Sequence, residues 1–220
     1  MTTKIPKRYE DVQFLKLPKV IQDAYPLLRN ERKGLYIFGG VGTGKTHAAY
    51  GILKQWEEDR AKEQQNIDDV TTKFAPQRGM RTKESGEMYY FEDVAMVQKQ
   101  NEELAKAPKV RPPARFENVP QMLYYVKRDF KDNSDYQDEI LNTRKMFILD
   151  DIGVEKVSEF VEEFMYMLVN EQYEKVYPIV ITSNLSLSEL AEKLGDRVVS
   201  RIKEMCQIIK LDGEDKRLQK

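Results

Sequence analysis

The chain has 220 residues, of which 40% are hydrophobic and 33% are charged, which excludes a disordered chain and is typical of one compact domain with a single core. With 36 lysines and arginines against 37 aspartates and glutamates, its formal net charge is -1, so the chain as a whole has no electrostatic attraction for nucleic acid or an acidic membrane. The single cysteine, Cys206, excludes an internal disulfide and a cysteine metal cluster.

The amino terminus, MTTKIPKRYED, has no apolar signal core, and no run of about 18 uncharged apolar residues is present to span a membrane. These two observations predict a cytoplasmic protein with no membrane partner.

The first buried strand is predicted at residues 34–38, where the apolar run GLYIF suits a parallel sheet covered on both faces. The glycine-rich stretch FGGVGTGKTH follows at residues 38–47. After it, apolar residues recur at helical spacing, at Ala48, Ala49, Ile52, Leu53 and Trp56. The order of elements is therefore strand, glycine loop, helix.

The glycine-rich stretch has the P-loop spacing GxxxxGK[ST], which runs from Gly39 to Thr46. Glycines let backbone N–H groups approach phosphate oxygens, and the following helix adds its positive N-terminal end. Lys45 would reach the β- and γ-phosphates of ATP, and the Thr46 hydroxyl would take one position on Mg²⁺. A chance glycine turn with a solvated lysine is the alternative, which the flanking strand and helix disfavour.

We expect the loop and the residue after it to contact the nucleotide: Gly39, Gly40, Val41, Gly42, Thr43, Gly44, Lys45, Thr46 and His47. His47 is the only histidine and has no nucleophile or metal partner in the loop sequence. We therefore interpret its role as structural, with its side chain packed beneath the loop.

Residues from about 57 to 113 interrupt this order of strands and helices. The segment is crowded with charge, contains APQRG and ESGE, and ends in PKVRPP, while only MYYFEDVAMVQKQNEEL suggests a strand and a helix. We interpret it as a charged insertion in a single domain that spans residues 1–220. The core resumes at residues 114–130 with another strand and a helix, whose first turn tolerates Pro120.

A second buried strand, MFILDDIG at residues 146–153, ends in two acids. Asp150 would hold Mg²⁺ through its water shell, and Asp151 would orient and deprotonate an attacking water. Adjacent acids at a strand end also suit a solvated turn, but the P-loop in the same chain disfavours that alternative.

A helix is predicted from Ser158, a plausible N-cap, to about residue 175. Its apolar face is formed by Phe160, Phe164, Met167 and Leu168.

The β-branched run PIVITSNL at residues 178–185 predicts a third strand, which ends near Asn184. The Asn184 amide would hold the attacking water or touch the γ-phosphate, or it would only turn the chain, and the residue type favours neither.

Ser186 and Glu189 have the capping-box spacing that opens a short helix, LSELAEKL, which is closed by Gly195. A further helix, DRVVSRIKEM, leads into a last strand, CQIIKL.

Arg197 and Arg201 lie four residues apart and so on one face of that helix. A planar guanidinium suits the γ-phosphate of a neighbouring subunit, although a surface arginine is more often solvated.

Strands that alternate with helices predict an α/β fold with a parallel sheet, whose ligand edge lies at the carboxyl ends of the strands. The glycines, the two acids and the sequence TSN all fall at that edge. Four stretches of the chain, taken in order, resemble the AAA+ ATPases of the DnaC and IstB type. They are GLYIFGGVGTGKT, MFILDDIG, PIVITSNLSLSEL and GDRVVSRIKEMCQIIKLDGEDKR. These are helicase loaders and transposition ATPases. The resemblance covers roughly residues 5–56 and 114–220 and leaves the insertion unmatched.

The resemblance implies a P-loop NTPase of AAA+ type, a three-layer sandwich with a central parallel sheet of five strands and no lid domain. Residues 39–46 match Walker A, Asp150 and Asp151 match Walker B, and Asn184 matches sensor 1. The segment IPKRYEDVQF resembles the portion that packs near the adenine. Aspartate at position 151, where many AAA+ enzymes have glutamate, is familiar within this subfamily.

The resemblance also assigns roles to three arginines. Arg201 matches the arginine-finger position, and Arg197 is its neighbour. Arg217 in GEDKR resembles the arginine that loaders use in place of a lid-borne sensor 2. Loaders carry an N-terminal helicase-binding domain, for which the segment before Gly39 leaves no space, so a loading role would require the insertion to take over the partner contact.

We expect an ATP-hydrolysing, Mg²⁺-dependent protein of DNA replication or transposition that shares its active site between subunits of a ring or spiral. Single-stranded DNA and a replicative helicase or transposase are the expected partners, and the basic runs KIPKR and KAPKVRPPAR are candidate DNA contacts.

One alternative is a nucleotide-gated binding module. The other is a small-molecule kinase with the insertion as lid, for which four arginines are available: Arg78, Arg81, Arg111 and Arg115.

Overall fold

The computed structural model describes residues 5–107, 109–132, 135–142, 145–154 and 156–213. The chain divides into two compact units. The first unit contains the residues up to Trp56 and those from Pro112 onward, and the second is Glu57–Arg111. The second unit falls within the segment that the sequence sets apart as an insertion.

The strands, in chain order, are β1 (Gly34–Phe38), β2 (Arg78–Thr82), β3 (Met88–Glu92), β4 (Ala114–Asn118), β5 (Met146–Ile152), β6 (Ile179–Ser183) and β7 (Cys206–Lys210). The α-helices are α1 (Lys19–Pro26), α2 (Lys45–Lys73), α3 (Val94–Lys106), α4 (Val119–Asp132), α5 (Tyr136–Leu141), α6 (Glu159–Glu174), α7 (Leu187–Leu194) and α8 (Asp196–Met205). Short 3₁₀ turns occupy Lys7–Tyr9 and Phe14–Lys16, and a π-helical turn occupies Leu27–Glu31. None of the described helices has the length and apolar character to cross a membrane.

The first unit is built on a five-stranded sheet in the order β4-β5-β6-β1-β7, and every neighbouring pair is parallel. The predicted central parallel sheet of five strands is confirmed. Alternate residues of a strand point to opposite faces of the sheet, and both faces of this sheet are covered. The strands are therefore apolar along most of their length. The central strand β1 has Leu35, Tyr36 and Ile37 fully buried.

Two apolar clusters lie on the two faces of the sheet, which gives the predicted three layers. Leu35, Ile37 and Ile148 face one cluster, together with residues of α1 and α2. Tyr36 and Phe147 face the other, together with residues of α4 to α8. This arrangement leaves the carboxyl ends of the strands as the edge where loops meet.

The helices differ in places from the sequence prediction. The Ser158 N-cap of α6 and the Ser186 capping box of α7 are confirmed by their backbone bonds. On α6, however, Met165 is fully buried and Met167 is 36% exposed, so the expectation that Met167 lies on the apolar face is wrong. Because the apolar positions of a helix recur at three and four residues, Met165 shares the face of Val161 and Phe164.

The second unit contains the antiparallel pair β2–β3, the helix α3 and the residues of α2 after Trp56. The sequence predicted β3 and α3 but neither β2 nor the length of α2. The guanidinium of Arg111 binds both oxygens of Glu63, at 3.0 and 2.5 Å, and its Nη1 also lies 3.4 Å from Asp59. These charged groups link α2 to the end of the unit.

A stability prediction follows from Val176, which has φ 52°. The N–H of Tyr177 donates to the Gln172 carbonyl at 3.0 Å, and that of Val176 donates to Tyr173 at 3.2 Å, so α6 ends in a turn that normally has glycine at this position. A β-branched residue there costs roughly 1–2 kcal/mol. We expect Val176→Gly to raise the free energy of unfolding, measured by urea denaturation, by about 1 kcal/mol.

The matched control is Val20→Gly in α1. Val20 is 46% exposed and Val176 is 56% exposed, so both changes remove little packing. The control should lower stability by about 0.5 kcal/mol or less, because glycine loses more backbone freedom than valine when the first turn of the helix forms. Equal losses from both changes would show that Val176 is not strained.

Candidate functional site

A cleft of about 420 Å³ opens at the carboxyl edge of the sheet in the first unit. Its lining includes most of the residues that the sequence selected from three separate segments, and it adds Arg8, Tyr9 and Val154. The lining residues are Arg8, Tyr9, Val41, Gly42, Gly44, Lys45, Thr46, His47, Asp151, Val154 and Asn184. The fold therefore brings the glycine loop, the acidic strand end and the TSN strand end to one place.

The glycine loop is constrained where it leaves β1. The N–H of Leu211 donates to the Phe38 carbonyl at 2.7 Å, so the chain after β7 runs beside the start of the loop. A Cβ on Gly39 would lie 2.2 Å from the carbonyl oxygen of Leu211, which no side chain tolerates. Gly39 is therefore required by close backbone contact.

Lys45 opens α2 and is held within the loop. Its side chain is buried, and Nζ donates to the carbonyl oxygens of Gly39 at 2.9 Å and Gly40 at 2.7 Å. The Thr43 hydroxyl donates to the same Gly40 carbonyl at 3.0 Å. A compact positive charge thus lies at the N-terminal end of a helix, where two sources of positive potential favour an anion.

Asp150 is 2% exposed at the carboxyl end of β5 and accepts two hydrogen bonds. The Thr182 hydroxyl donates to Oδ1 at 2.6 Å, and the Thr46 hydroxyl donates to Oδ2 at 3.1 Å. The pKa of Asp150 is raised to about 6, mainly by burial and also by the charge of Asp151, while the two hydroxyls and Lys45 act to lower it. A buried carboxylate therefore faces the loop in a position that would favour a cation.

Asp151 faces the cleft instead. Its φ of 62° is left-handed, and the pairing of β5 with β6 is shifted between Leu149 and Ile152. Its N–H donates to the Thr182 hydroxyl at 3.0 Å rather than to a strand carbonyl. The two adjacent acids are consequently separated, one buried behind the loop and one beside the open cleft.

The donor set fits Mg²⁺ bound together with a polyphosphate. Thr46 and Asp150 supply oxygen ligands 3.1 Å apart, and Mg²⁺ is usually held by one or two carboxylates, substrate phosphates and water. Across the residues that the structure describes, no group of three or more His, Cys, Asp or Glu side chains is placed to hold a metal. The arrangement suits a cation that binds together with a polyphosphate, which would supply further oxygen ligands.

The amino-terminal segment forms one wall of the cleft. Tyr9 stacks on Tyr50 with ring centroids 4.4 Å apart. Lys54 on α2 donates from Nζ to the carbonyls of Glu10 and Val12, both at 2.8 Å. Tyr9 is therefore fixed against α2 with an aromatic ring at the cleft, in the segment that the family resemblance places near the adenine.

Asn184 and His47 both line the cleft and are exposed. The expectation that His47 packs beneath the loop is wrong. The inward positions at the start of α2 are taken by Ala48 and Ala49, both fully buried, and successive helical residues are rotated by about 100°, so His47 points outward.

Arg201 and Arg197 do not line the cleft of their own chain. Arg201 lies against α6, where Nε donates to Asn170 Oδ1 at 2.6 Å and Nη2 donates to the Tyr166 hydroxyl at 2.9 Å. Its guanidinium carbon also lies 4.6 Å from the centroid of the Tyr166 ring. Arg197 is exposed one turn earlier. Arg217 lies outside the described residues.

Three of the arginines that a kinase lid would use bind carboxylates of their own unit. Arg78 pairs with Glu92, Arg111 with Glu63 and Asp59, and Arg115 with Glu117 and Glu139. These are structural ion pairs, and they do not favour the kinase interpretation.

Sequence reasoning did not single out Thr182, Arg8, Tyr9 or Val154. Thr182 stands directly before the Ser183–Asn184 pair, and its polar side chain inside an otherwise apolar strand was the available signal. Arg8 and Tyr9 lie in the segment IPKRYEDVQF, which the family resemblance places near the adenine only as a whole. Val154 follows the acidic strand and offered no chemical signal.

A model of the family described as IstB-like ATP binding protein matches residues 109–220, slightly more than half of the chain. A crystal structure of the DnaC helicase loader is similar, with 21% identity, coverage of 94% of this chain and 100% of that chain, and a TM-score of 0.61. DnaI is similar at 18% identity, with 97% and 94% coverage and a TM-score of 0.60.

The replication initiator DnaA bound to AMPPCP and single-stranded DNA is similar at 13% identity, with a TM-score of 0.61, over 96% of this chain and 52% of that one. A comparison with curated proteins finds no match. At these identities the structural likenesses establish the fold.

Proposed function

Because the chain belongs to the IstB-like ATP-binding proteins and has the AAA+ fold of the DnaC type, we propose that it hydrolyses ATP in this cleft with Mg²⁺. The observation that carries the proposal is the 3.1 Å contact between Thr46 of the loop and Asp150 of β5. It joins the phosphate-binding element to the acidic strand, as a metal bound to a triphosphate requires.

Each residue then has a defined task. The amides of residues 39–46 and the Lys45 ammonium bind the phosphates, with His47 at the rim, while Tyr9 offers a flat ring to the base. Thr46 and Asp150 would hold Mg²⁺, which would supply positive charge to offset the negative charge of the bound phosphates. Asp151 accepts the proton of the attacking water, and Asn184 positions that water.

The active site is completed by a second subunit of a ring or spiral. Arg201 and Arg197 lie away from their own cleft, and Arg201 is preoriented by Asn170 and Tyr166. A guanidinium held in this way loses little freedom when it meets a γ-phosphate. Arg217 is proposed as a further phosphate contact.

The protein acts in DNA replication or transposition, with single-stranded DNA and a helicase or transposase as partners. The fold shared with the DnaC helicase loader and with DnaA bound to single-stranded DNA supports this. The residues from about 57 to 113 are proposed as an insertion in one ATPase domain that takes over the partner contact.

Calorimetry with ATP, with and without Mg²⁺, tests binding, and phosphate release tests hydrolysis. We expect Mg²⁺-dependent binding in the micromolar range, near −8 kcal/mol, and slow turnover that rises with protein concentration. Neither variant, Arg201→Ala or Lys45→Ala, should hydrolyse ATP alone. Their mixture should regain activity, because one supplies the loop and the other the arginine.

The matched control replaces Arg201→Ala by Arg29→Ala, an arginine on the π-helical turn. Arg29→Ala alone should keep wild-type turnover. If the mixture of Arg201→Ala and Lys45→Ala stays inactive while each variant is folded, the shared site is rejected. The measurement of ATP binding is independent of that result.

A further inference from the structure

Thr182 on β6 is fully buried, and its hydroxyl touches both acids of the site. It donates to Asp150 Oδ1 at 2.6 Å and accepts from the backbone N–H of Asp151 at 3.0 Å. One hydroxyl therefore donates its hydrogen to the Asp150 side chain and accepts, through a lone pair, the backbone N–H of Asp151.

We propose that Thr182 is a positioning residue that sets both acids for Mg²⁺-bound ATP, an inference that rests on the proposed function. Its effect is indirect, since Thr182 is not among the residues that line the cleft. It acts through Asp150 and Asp151.

For Asp150, the bond from Thr182 fixes which oxygen faces the loop. With Oδ1 engaged by Thr182, Oδ2 is the oxygen that lies 3.1 Å from the Thr46 hydroxyl. A carboxylate held at one oxygen cannot rotate freely, so the other is presented in a defined direction. Outer-shell bonds of this kind commonly control the affinity of a metal site.

For Asp151, the same hydroxyl stabilises an unusual backbone. Its left-handed φ of 62° coincides with the shift in pairing between β5 and β6. At that shift Thr182 supplies the acceptor for the Asp151 N–H. Strained conformations of this type persist only where surrounding bonds determine them. Loss of the hydroxyl would free Asp151 to leave its position beside the cleft.

The neighbouring Ser183 provides a matched control. It is also fully buried, and its hydroxyl also makes one bond in each direction. It donates to the Ile152 carbonyl at 2.8 Å and accepts from the Leu185 N–H at 3.0 Å. Both of these partners are backbone groups, and the Tyr36 hydroxyl also interacts with Ser183, so Ser183→Ala removes at least as many contacts at the same strand end without touching either acid.

The experiment compares Thr182→Val, Thr182→Ser and Ser183→Ala with wild type. Calorimetry gives the Kd for ATP with a chelator and with saturating Mg²⁺, and the Kd with chelator divided by the Kd with Mg²⁺ measures the contribution of the metal. We expect Thr182→Val to reduce that ratio at least about tenfold, while the Kd without Mg²⁺ stays within about twofold. Thr182→Ser should restore the ratio, and Ser183→Ala should keep it.

Valine matches threonine in shape and suits a strand, and Thr182→Ala gives a second loss of the hydroxyl if the valine variant folds poorly. A wild-type ratio in a folded hydroxyl-free variant overturns the inference. An equal loss in Ser183→Ala also overturns it, because the effect would then be structural. Failure of wild type to bind ATP at all overturns the proposed function, and the inference with it.

Discussion

Replacement of Lys45 by alanine is expected to weaken ATP binding by on the order of a hundredfold and to abolish hydrolysis. Each hydrogen bond to a charged group contributes about 1.5–3 kcal/mol, and the ammonium would bond to oxygens of both the β- and γ-phosphates. The group is already placed for this, since Nζ lies 2.9 and 2.7 Å from the loop carbonyls of Gly39 and Gly40.

Calorimetry with Mg²⁺ and ATP measures the loss. Lys19→Ala is the control, because Lys19 is an exposed lysine of α1 paired with Asp23. The control should bind ATP as wild type does, and its unfolding should be nearly unchanged. Tight binding by Lys45→Ala would mean that the loop amides alone hold the phosphates, and it would contradict the role given to this lysine.

The second large effect is expected from Asp150→Asn, which should abolish hydrolysis yet stabilise the protein in the absence of Mg²⁺ and nucleotide. Burial raises the pKa of Asp150 to about 6 from an ordinary 3.8, so its ionisation opposes folding. At pH 7 to 8 the gain in unfolding free energy should reach about 3 kcal/mol at most.

The pH dependence follows from the direction of that shift. Between about pH 4 and 6 the native state keeps a proton that the unfolded state has released, so wild-type stability falls as pH rises through this window. Above it the cost is complete, and below pH 4 it disappears. The advantage of Asp150→Asn should therefore be largest at neutral pH and absent at pH 3.5.

Urea denaturation at several pH values checks this prediction. Asp151→Asn is the control, because asparagine tolerates the left-handed backbone of position 151 and the side chain faces the cleft. The control should change stability by less than about 0.5 kcal/mol. A loss of stability in Asp150→Asn at neutral pH would show that the bonds from Thr46 and Thr182 outweigh the cost of burial.

Local sequence patterns were sufficient for the central part of the fold. The apolar run of β1, the glycine loop and the first turns of α2 were predictable because each is set by a few adjacent residues. The same holds for β5 and for the capping box at Ser186. The location of the candidate site then followed from the rule that ligand sites form at the carboxyl ends of parallel strands.

Contacts between distant segments were not predictable in this way. The link from Thr182 to both acids depends on β5 and β6 being neighbours and on the shift in their pairing after Leu149. Likewise, the outward direction of His47 depends on which face of α2 is buried. The continuation of α2 to Lys73 was missed because its charged residues resembled a loop, although pairs such as Gln64–Asp68 support a helix.

The ion pair between Arg111 and Glu63 has a consequence for the motions of the second unit. Among its side chains whose burial the structure describes, the buried ones are these two charged groups rather than apolar ones. Regions with few buried apolar contacts open at a small fraction of the global unfolding free energy. Backbone amides of this unit should therefore exchange their hydrogens with solvent faster than those of the parallel sheet, because local opening of the unit costs less free energy than opening of the sheet.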